Sequence, residues 1–143
     1  MSDSSLEGIA LRDIPKIVHP RGKGNLSVIE KDLIPFEIKR VYYLYDVPSD
    51  STRGGHAHIE LQQFLVAVSG SFDVVLDDGF SRRIITLNRP FKGLLIPNGI
   101  WRELQNFSAG SVCLSMVSDV YKEEDYIRDY KDFKSFKRSH PNS

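Results

Sequence analysis

Residues 53 to 70 read RGGHAHIELQQFLVAVSG, with two histidines one residue apart behind a pair of glycines. On an extended strand, side chains alternate between faces, so His56 and His58 project together and Ala57 projects the other way. Such a pair serves either as part of a metal site or as a proton-transfer pair, because imidazole titrates near neutral pH. Further along, IPNGIWRELQN carries Arg102 and Asn106 at the same strand parity, and both are expected to face the interior. Arg102 would suit a developing oxyanion or a phosphate oxygen, by charge and by its fork of donors. Upstream, IKRVYYLYDV holds Tyr42, Tyr43 and Tyr45. Neighbours on a strand diverge, so not all three can face inward; an inward tyrosine could hydrogen-bond or protonate an enolate oxygen.

The histidine stretch resembles the first signature of the cupin superfamily, in which His-x-His is followed by a glutamate and then a glycine. Here the counted positions hold Gln63 and Gly70. The second signature, Pro-x-Gly followed by His and Asn, falls on Pro97, Gly99, Arg102 and Asn106. The carboxylate ligand has thus become a neutral amide and the third imidazole a permanent cation. Two good ligands beside a guanidinium that repels a dication are too few for a firm site, so no metal is expected. The plain alternative is a pair of satisfied core histidines. Two of them on one face near an inward arginine would be costly to bury without a use, which favours acid/base work.

The elements that must position these residues are strands. From about residue 14 to 118 the chain alternates short runs rich in Val, Ile, Phe and Tyr with Gly, Pro, Asn and Asp punctuation. Strands are predicted near 14–19, 25–30, 38–46, 55–60, 62–69, 71–77, 82–87, 93–97, 100–107 and 111–118, all within one sandwich or barrel. Asp78-Gly79, between alternating apolar runs, marks a hairpin. After Ser118, Tyr126, Ile127, Tyr130 and Phe133 recur at helical spacing, predicting a short C-terminal helix whose aromatics pack on the core. The expected layout is an N-terminal segment over 1–13, one domain over 14–135 and a tail over 136–143 that holds His140.

Composition narrows the function classes. With 143 residues, 41% of them hydrophobic, one core is expected. The 19 basic and 19 acidic residues balance, which gives no sign of a nucleic-acid surface or a polybasic membrane patch. Any anion must therefore be gripped locally. Candidates are Arg53, just before the histidines, and Arg21 and Lys23, set among glycines in HPRGKGN. Each could equally be a solvated turn residue; His19, beside Pro20, is given no role. The single Cys113 in an apolar run cannot form an intrachain disulfide, and MSDSSLEGIALRD has no basic, long apolar leader. A soluble, cytoplasmic protein is expected.

From about residue 14 to 133 the chain is similar to the metal-free cupin family of sugar 3,4-ketoisomerases acting on dTDP-4-keto-6-deoxyglucose. The likeness rests on IKRVYYLYDV, RGGHAH, GLLIPNGIWRELQNFSAGSVCL and YKEEDYIRDYKDF. It implies an all-β jelly-roll barrel, a double-stranded β-helix with a short C-terminal helix. It also implies catalysis by His56 and His58 assisted by Tyr42, and no cofactor. Substrate would be bound through Arg102, Arg53, Arg21, Gln63 and Asn106, in a homodimer with exchanged N-terminal strands. Members differ in the configuration they set at C4, with the glycine-rich turn and the Arg102 position as the expected determinants. Competing readings are a sugar-nucleotide 3,5-epimerase, a non-catalytic sugar-binding cupin, and a metal-dependent oxygenase disfavoured by Gln63 and Arg102.

Overall fold

Alternation in the sequence becomes alternation in burial. In a computed structural model that describes residues 6–140, β6 (Gln63–Ser69) sends Leu65 and Ala67 to one side and Phe64 and Val66 to the other. Both faces are buried from Phe64 to Ala67, which is why these four successive residues are all apolar. One five-stranded antiparallel sheet has the order β1 (Ala10–Asp13), β9 (Lys92–Ile96), β6, β11 (Val112–Val117), β4 (Arg40–Tyr45). The other runs β12 (Tyr126–Ile127), β5 (Arg53–His58), β10 (Trp101–Gln105), β7 (Phe72–Asp77), β8 (Arg82–Leu87). Leu65, Leu94, Ile96 and Cys113 from the first sheet meet Phe72, Leu76, Ile85 and Leu104 from the second in the main core. This is the jelly-roll architecture expected from the sequence.

The Asp78-Gly79 hairpin joins β7 to β8, with Asp78 Oδ1 accepting from the N–H groups of Phe80 and Ser81 at 2.8 and 2.7 Å. Outside the second sheet, α1 (Tyr130–Ser139) starts at Asp129, whose side chain accepts from the Asp132 N–H. Its Phe133 is buried with Ala57 and Trp101, and Tyr130 donates to Asp77 at 2.7 Å.

Three boundaries differ from the sequence reading. Ala10–Asp13 is a paired edge strand on β9, so the ordered domain begins before residue 14; residues 1–5 of the expected N-terminal segment lie outside the described residues. Its four residues are too short for alternation to stand out. Tyr126 and Ile127 belong to a strand that pairs with His58 and Ala57, and the helix starts only at Tyr130. A two-residue strand beside a helix carries no period of its own, so the helical spacing absorbed it. The helix also runs past residue 135 to Ser139, while 141–143 of the expected tail lie outside the described residues.

Two predicted strands stay out of the barrel. β2 (Lys16–Val18) and β3 (Asn25–Ser27) pair only with each other, as a ribbon whose apolar Ile17, Val18 and Leu26 are 50%, 67% and 45% exposed.

The barrel wall tolerates no added atoms where β9 crosses β6. A Cβ at Gly93 would lie 2.0 Å from the ring of fully buried Phe64. Gly93→Ala should therefore cost about 1–3 kcal/mol of stability by forced repacking, read as a lowered urea midpoint.

Candidate active site

Residues on β4, β5, β6, β10 and β11, together with the segment leading into β12, line a cavity of about 360 Å³. On β4 the burial alternates, so Arg40, Tyr42 and Leu44 line the cavity while Tyr43 and Tyr45 are 60% and 63% exposed on the outer face. Strand geometry thereby selects one tyrosine of the three. On β5 the arrangement depends on a bulge. Arg102 pairs with His56 and Leu104 with Arg53, so two steps on β10 match three on β5. The extra residue brings Arg53 and His56 to the same side although their spacing is odd. Gly54 takes φ +76 in this stretch, a conformation that glycine adopts without strain.

Arg102 is 2% exposed, so its guanidinium must find protein partners. Nε and Nη2 donate to the Ile100 carbonyl at 3.1 and 2.9 Å, and Nη1 donates to the Gln63 side-chain oxygen. Burial lowers Arg102 to about 10, which leaves it cationic at neutral pH. With its oxygen committed to Arg102, Gln63 turns its amide nitrogen to Tyr42 Oη at 2.8 Å and Ser115 Oγ at 2.7 Å. Tyr42 accepts that bond, so its own O–H is available to donate into the cavity. Gln63 thus links Arg102 to Tyr42.

His56 lines the cavity. His58, 1% exposed, lies behind it, with the two Nε2 atoms 3.1 Å apart and the rings nearly perpendicular. His58 Nδ1 is 3.1 Å from Asp125 Oδ2. The Tyr126 ring covers both imidazoles, at centroid distances of 5.0 Å to His56 and 4.4 Å to His58. Burial, reinforced by the Arg102 charge, lowers His56 to about 3 and His58 to about 2, so both rest neutral, as a base requires.

Four arginines, Arg40, Arg53, Arg102 and Arg128, line the cavity, and none of the lining residues is acidic. Arg128 stacks over Tyr126 at 4.1 Å and pairs with Glu123, and Arg40 stacks over Tyr42 at 5.1 Å. Arg40 Nε is buried without a hydrogen-bond partner. The array suits a polyanionic ligand such as a diphosphate. Among the described residues, no group of three or more His, Cys, Asp or Glu is arranged to hold a metal ion.

Of the residues singled out from sequence, His56, Tyr42, Gln63, Arg53 and Arg102 meet at the cavity, with His58 directly behind. Two do not join them. Asn106 was expected to share the inward face of Arg102, but β10 ends at Gln105 and the backbone turns to φ +59 at Asn106. Strand parity stops there, and the exposed side chain donates to Asp73 at 3.2 Å. Arg21 is exposed in the turn of the β2–β3 ribbon, at φ +62, and does not line the cavity of its own chain.

Arg40, Ser115, Tyr121, Asp125, Tyr126 and Arg128 were missed. The parity of Arg40 with Tyr42 would have found the first. Tyr126 and Arg128 were hidden by the helical reading, and Tyr126 had been assigned to core packing.

Because both histidines titrate lower in the folded than in the unfolded chain, the unfolded chain binds more protons between pH 6.5 and about 3. Their contribution to instability is absent above pH 6.5 and grows as pH falls through that window. The urea midpoint should therefore drop less between pH 7 and 4.5 in a His56→Gln, His58→Gln double variant than in the parent.

A family described as FdtA, WxcM-like, C-terminal, matches residues 7–138. The TDP-4-oxo-6-deoxy-alpha-D-glucose-3,4-oxoisomerase of Aneurinibacillus thermoaerophilus is 44% identical over 121 residues, 85% of this chain and 86% of that one. A 3,4-ketoisomerase from Helicobacter canadensis is 44% identical in sequence and superposes with a TM-score of 0.86, covering 90% of this chain and 96% of its own. A histidine-to-asparagine mutant of the 3,4-ketoisomerase QdtA from Thermoanaerobacterium thermosaccharolyticum has been solved in complex with TDP-4-keto-6-deoxyglucose. It is 38% identical, with a TM-score of 0.91 over 96% of this chain and 99% of its own.

Proposed function

Since the chain belongs to the FdtA, WxcM-like C-terminal family, we propose that it is a sugar-nucleotide 3,4-ketoisomerase whose substrate is TDP-4-keto-6-deoxyglucose. The observation that carries this reading is a neutral imidazole pair, 3.1 Å apart, at a cavity lined by four arginines. The arginines suit a diphosphate, and the imidazoles suit removal of a proton from carbon.

The C4 ketone acidifies the proton on C3. His56, the imidazole at the cavity wall, takes that proton, and the C–H electron pair forms the C3–C4 double bond of an enediolate. The charge that develops on oxygen is stabilised by the Arg102 cation and by the free O–H of Tyr42. A proton then returns to C4 and the O3 hydroxyl proton passes to O4, with Tyr42 the hydroxyl able to give and take it. The ketone is left at C3. No electron leaves the sugar, so no redox cofactor enters. Arg53 and Arg128, with Arg40, hold the diphosphate.

The assembly is a homodimer with exchanged N-terminal strands. The reading is supported by the β2–β3 ribbon, which exposes Ile17, Val18 and Leu26 and pairs with neither sheet of its own chain. A two-stranded ribbon alone is marginal in water and gains stability when its apolar face is covered. In such a dimer Arg21 serves the partner's cavity. The free, buried Cys113 is in keeping with a cytoplasmic setting, and no helix of the described residues is long and apolar enough to cross a membrane.

Incubation with TDP-4-keto-6-deoxyglucose in deuterated water should give a 3-keto sugar carrying deuterium at C4, read by NMR of the product. Deuterium at C5 with the carbonyl still at C4 would mean epimerisation, and recovery of the unchanged 4-keto sugar would mean a binding protein. His56→Asn should lower turnover by about a thousandfold or more while retaining TDP binding, and exhaustive chelation should leave the rate of the parent unchanged. The dimer is tested by sedimentation: Ile17→Asp with Val18→Asp should convert it to monomer.

A further inference from the structure

Asp125 is held from several directions. Its Oδ1 accepts from the Glu60 N–H at 2.8 Å and its Oδ2 from the Leu61 N–H at 3.3 Å. Its backbone carbonyl accepts from the Ile59 N–H at 3.0 Å. The carboxylate therefore cannot swing away from His58, whose Nδ1 lies 3.1 Å from Oδ2. A carboxylate only accepts hydrogen bonds, so the ring nitrogen facing it carries the hydrogen. A neutral imidazole has one such hydrogen, and His58 Nε2 is left bare, directed at His56 Nε2.

We propose that Asp125 is a positioning residue that fixes the Nδ1–H tautomer of His58, and so makes His58 the resting place of the positive charge created when His56 removes the proton from C3. The inference rests on the ketoisomerase reading. With His58 Nε2 bare, the hydrogen of the 3.1 Å contact belongs to His56 Nε2, and the basic lone pair of His56 is on Nδ1. The C3–H bond breaks, its pair enters the enediolate, and the proton arrives on His56 Nδ1 as the Nε2 hydrogen of His56 passes to His58 Nε2; the imidazolium so formed lies against the Asp125 carboxylate. The return of a proton to C4 runs along the same contact in reverse. His58 itself stays clear of the sugar: it is 1% exposed and is not among the residues that line the cavity. The site surrounds this ion pair with cations, since Arg102 from β10, Arg40 from β4 and Arg128 all act on His58. Asp125 is the negative charge hydrogen-bonded to the ring, and it offsets them at the moment a positive charge forms.

The test is the tautomer itself. In protein labelled with nitrogen-15 at histidine and saturated with TDP, His58, assigned by the signals lost in the His58→Asn spectrum, should show a protonated Nδ1 and a bare Nε2. Asp125→Asn can turn its amide N–H₂ towards Nδ1 while its oxygen keeps the Glu60 N–H bond. His58 should then invert to Nε2–H, and kcat should fall by about a hundredfold or more, as when a histidine is locked in the wrong tautomer. KM and TDP affinity should stay within about twofold. A parent protein with the hydrogen on His58 Nε2 overturns the proposal, and so does a variant with inverted His58 and turnover within about threefold of the parent. The parent spectrum decides the case even if Asp125→Asn fails to fold. It is also independent of turnover, so a protein inactive on TDP-4-keto-6-deoxyglucose would overturn the ketoisomerase reading without touching the tautomer.

Discussion

A guanidinium sealed inside the barrel governs this site. Arg102 has no water to solvate it, so every bond it makes is imposed on a neighbour. The Ile100 carbonyl fixes its plane, and the Gln63 oxygen takes a third hydrogen. That commitment orients the Gln63 amide, which in turn orients Tyr42 and Ser115. The same cation stands opposite His56 in the strand register and helps to hold both imidazoles neutral. The orientation of Tyr42 and the neutrality of both imidazoles therefore depend on one buried charge. Replacing either Arg102 or Gln63 alone would leave a polar group without its counterpart.

Much of this could be read from residue types. Gln63 and Arg102, at positions where a metal-binding relative would carry a carboxylate and an imidazole, pointed away from a metal, and in the fold they bond to each other. The tyrosine cluster was legible only as far as parity allowed; the fold chose Tyr42 because β4 turns Tyr43 and Tyr45 outward. Asn106 failed for the opposite reason, since parity counts only while the backbone stays extended, and it leaves that region at Asn106.

The least legible part was the segment from Ser118 to Asp129. Its contacts to the histidines join residues 67 positions apart, and nothing local encodes them. Tyr126 opens a strand of only two residues and Arg128 follows it directly, two positions before the helix starts at Tyr130, so charge and aromatic spacing followed the helix. Asp125 looked like one carboxylate among several in YKEEDYIRD. Its distinction is the pair of backbone N–H groups at Glu60 and Leu61 that anchor it, a property of the turn after β5 and not of its own neighbourhood.

That long-range anchoring has a consequence for how the enzyme comes into being. The chain is made from its N-terminus, and most of the barrel's strands have left the ribosome before residue 125 is added. Until then His58 has no carboxylate and the imidazole pair has no Tyr126 cover. These contacts of high sequence separation are also among the last that can form, and high separation slows folding. A nascent chain that ends near Val117 carries the His-x-His pair but neither the Asp125 carboxylate nor the Tyr126 ring. The surroundings of the imidazole pair are thus completed only when the segment after Ser118 docks against β5.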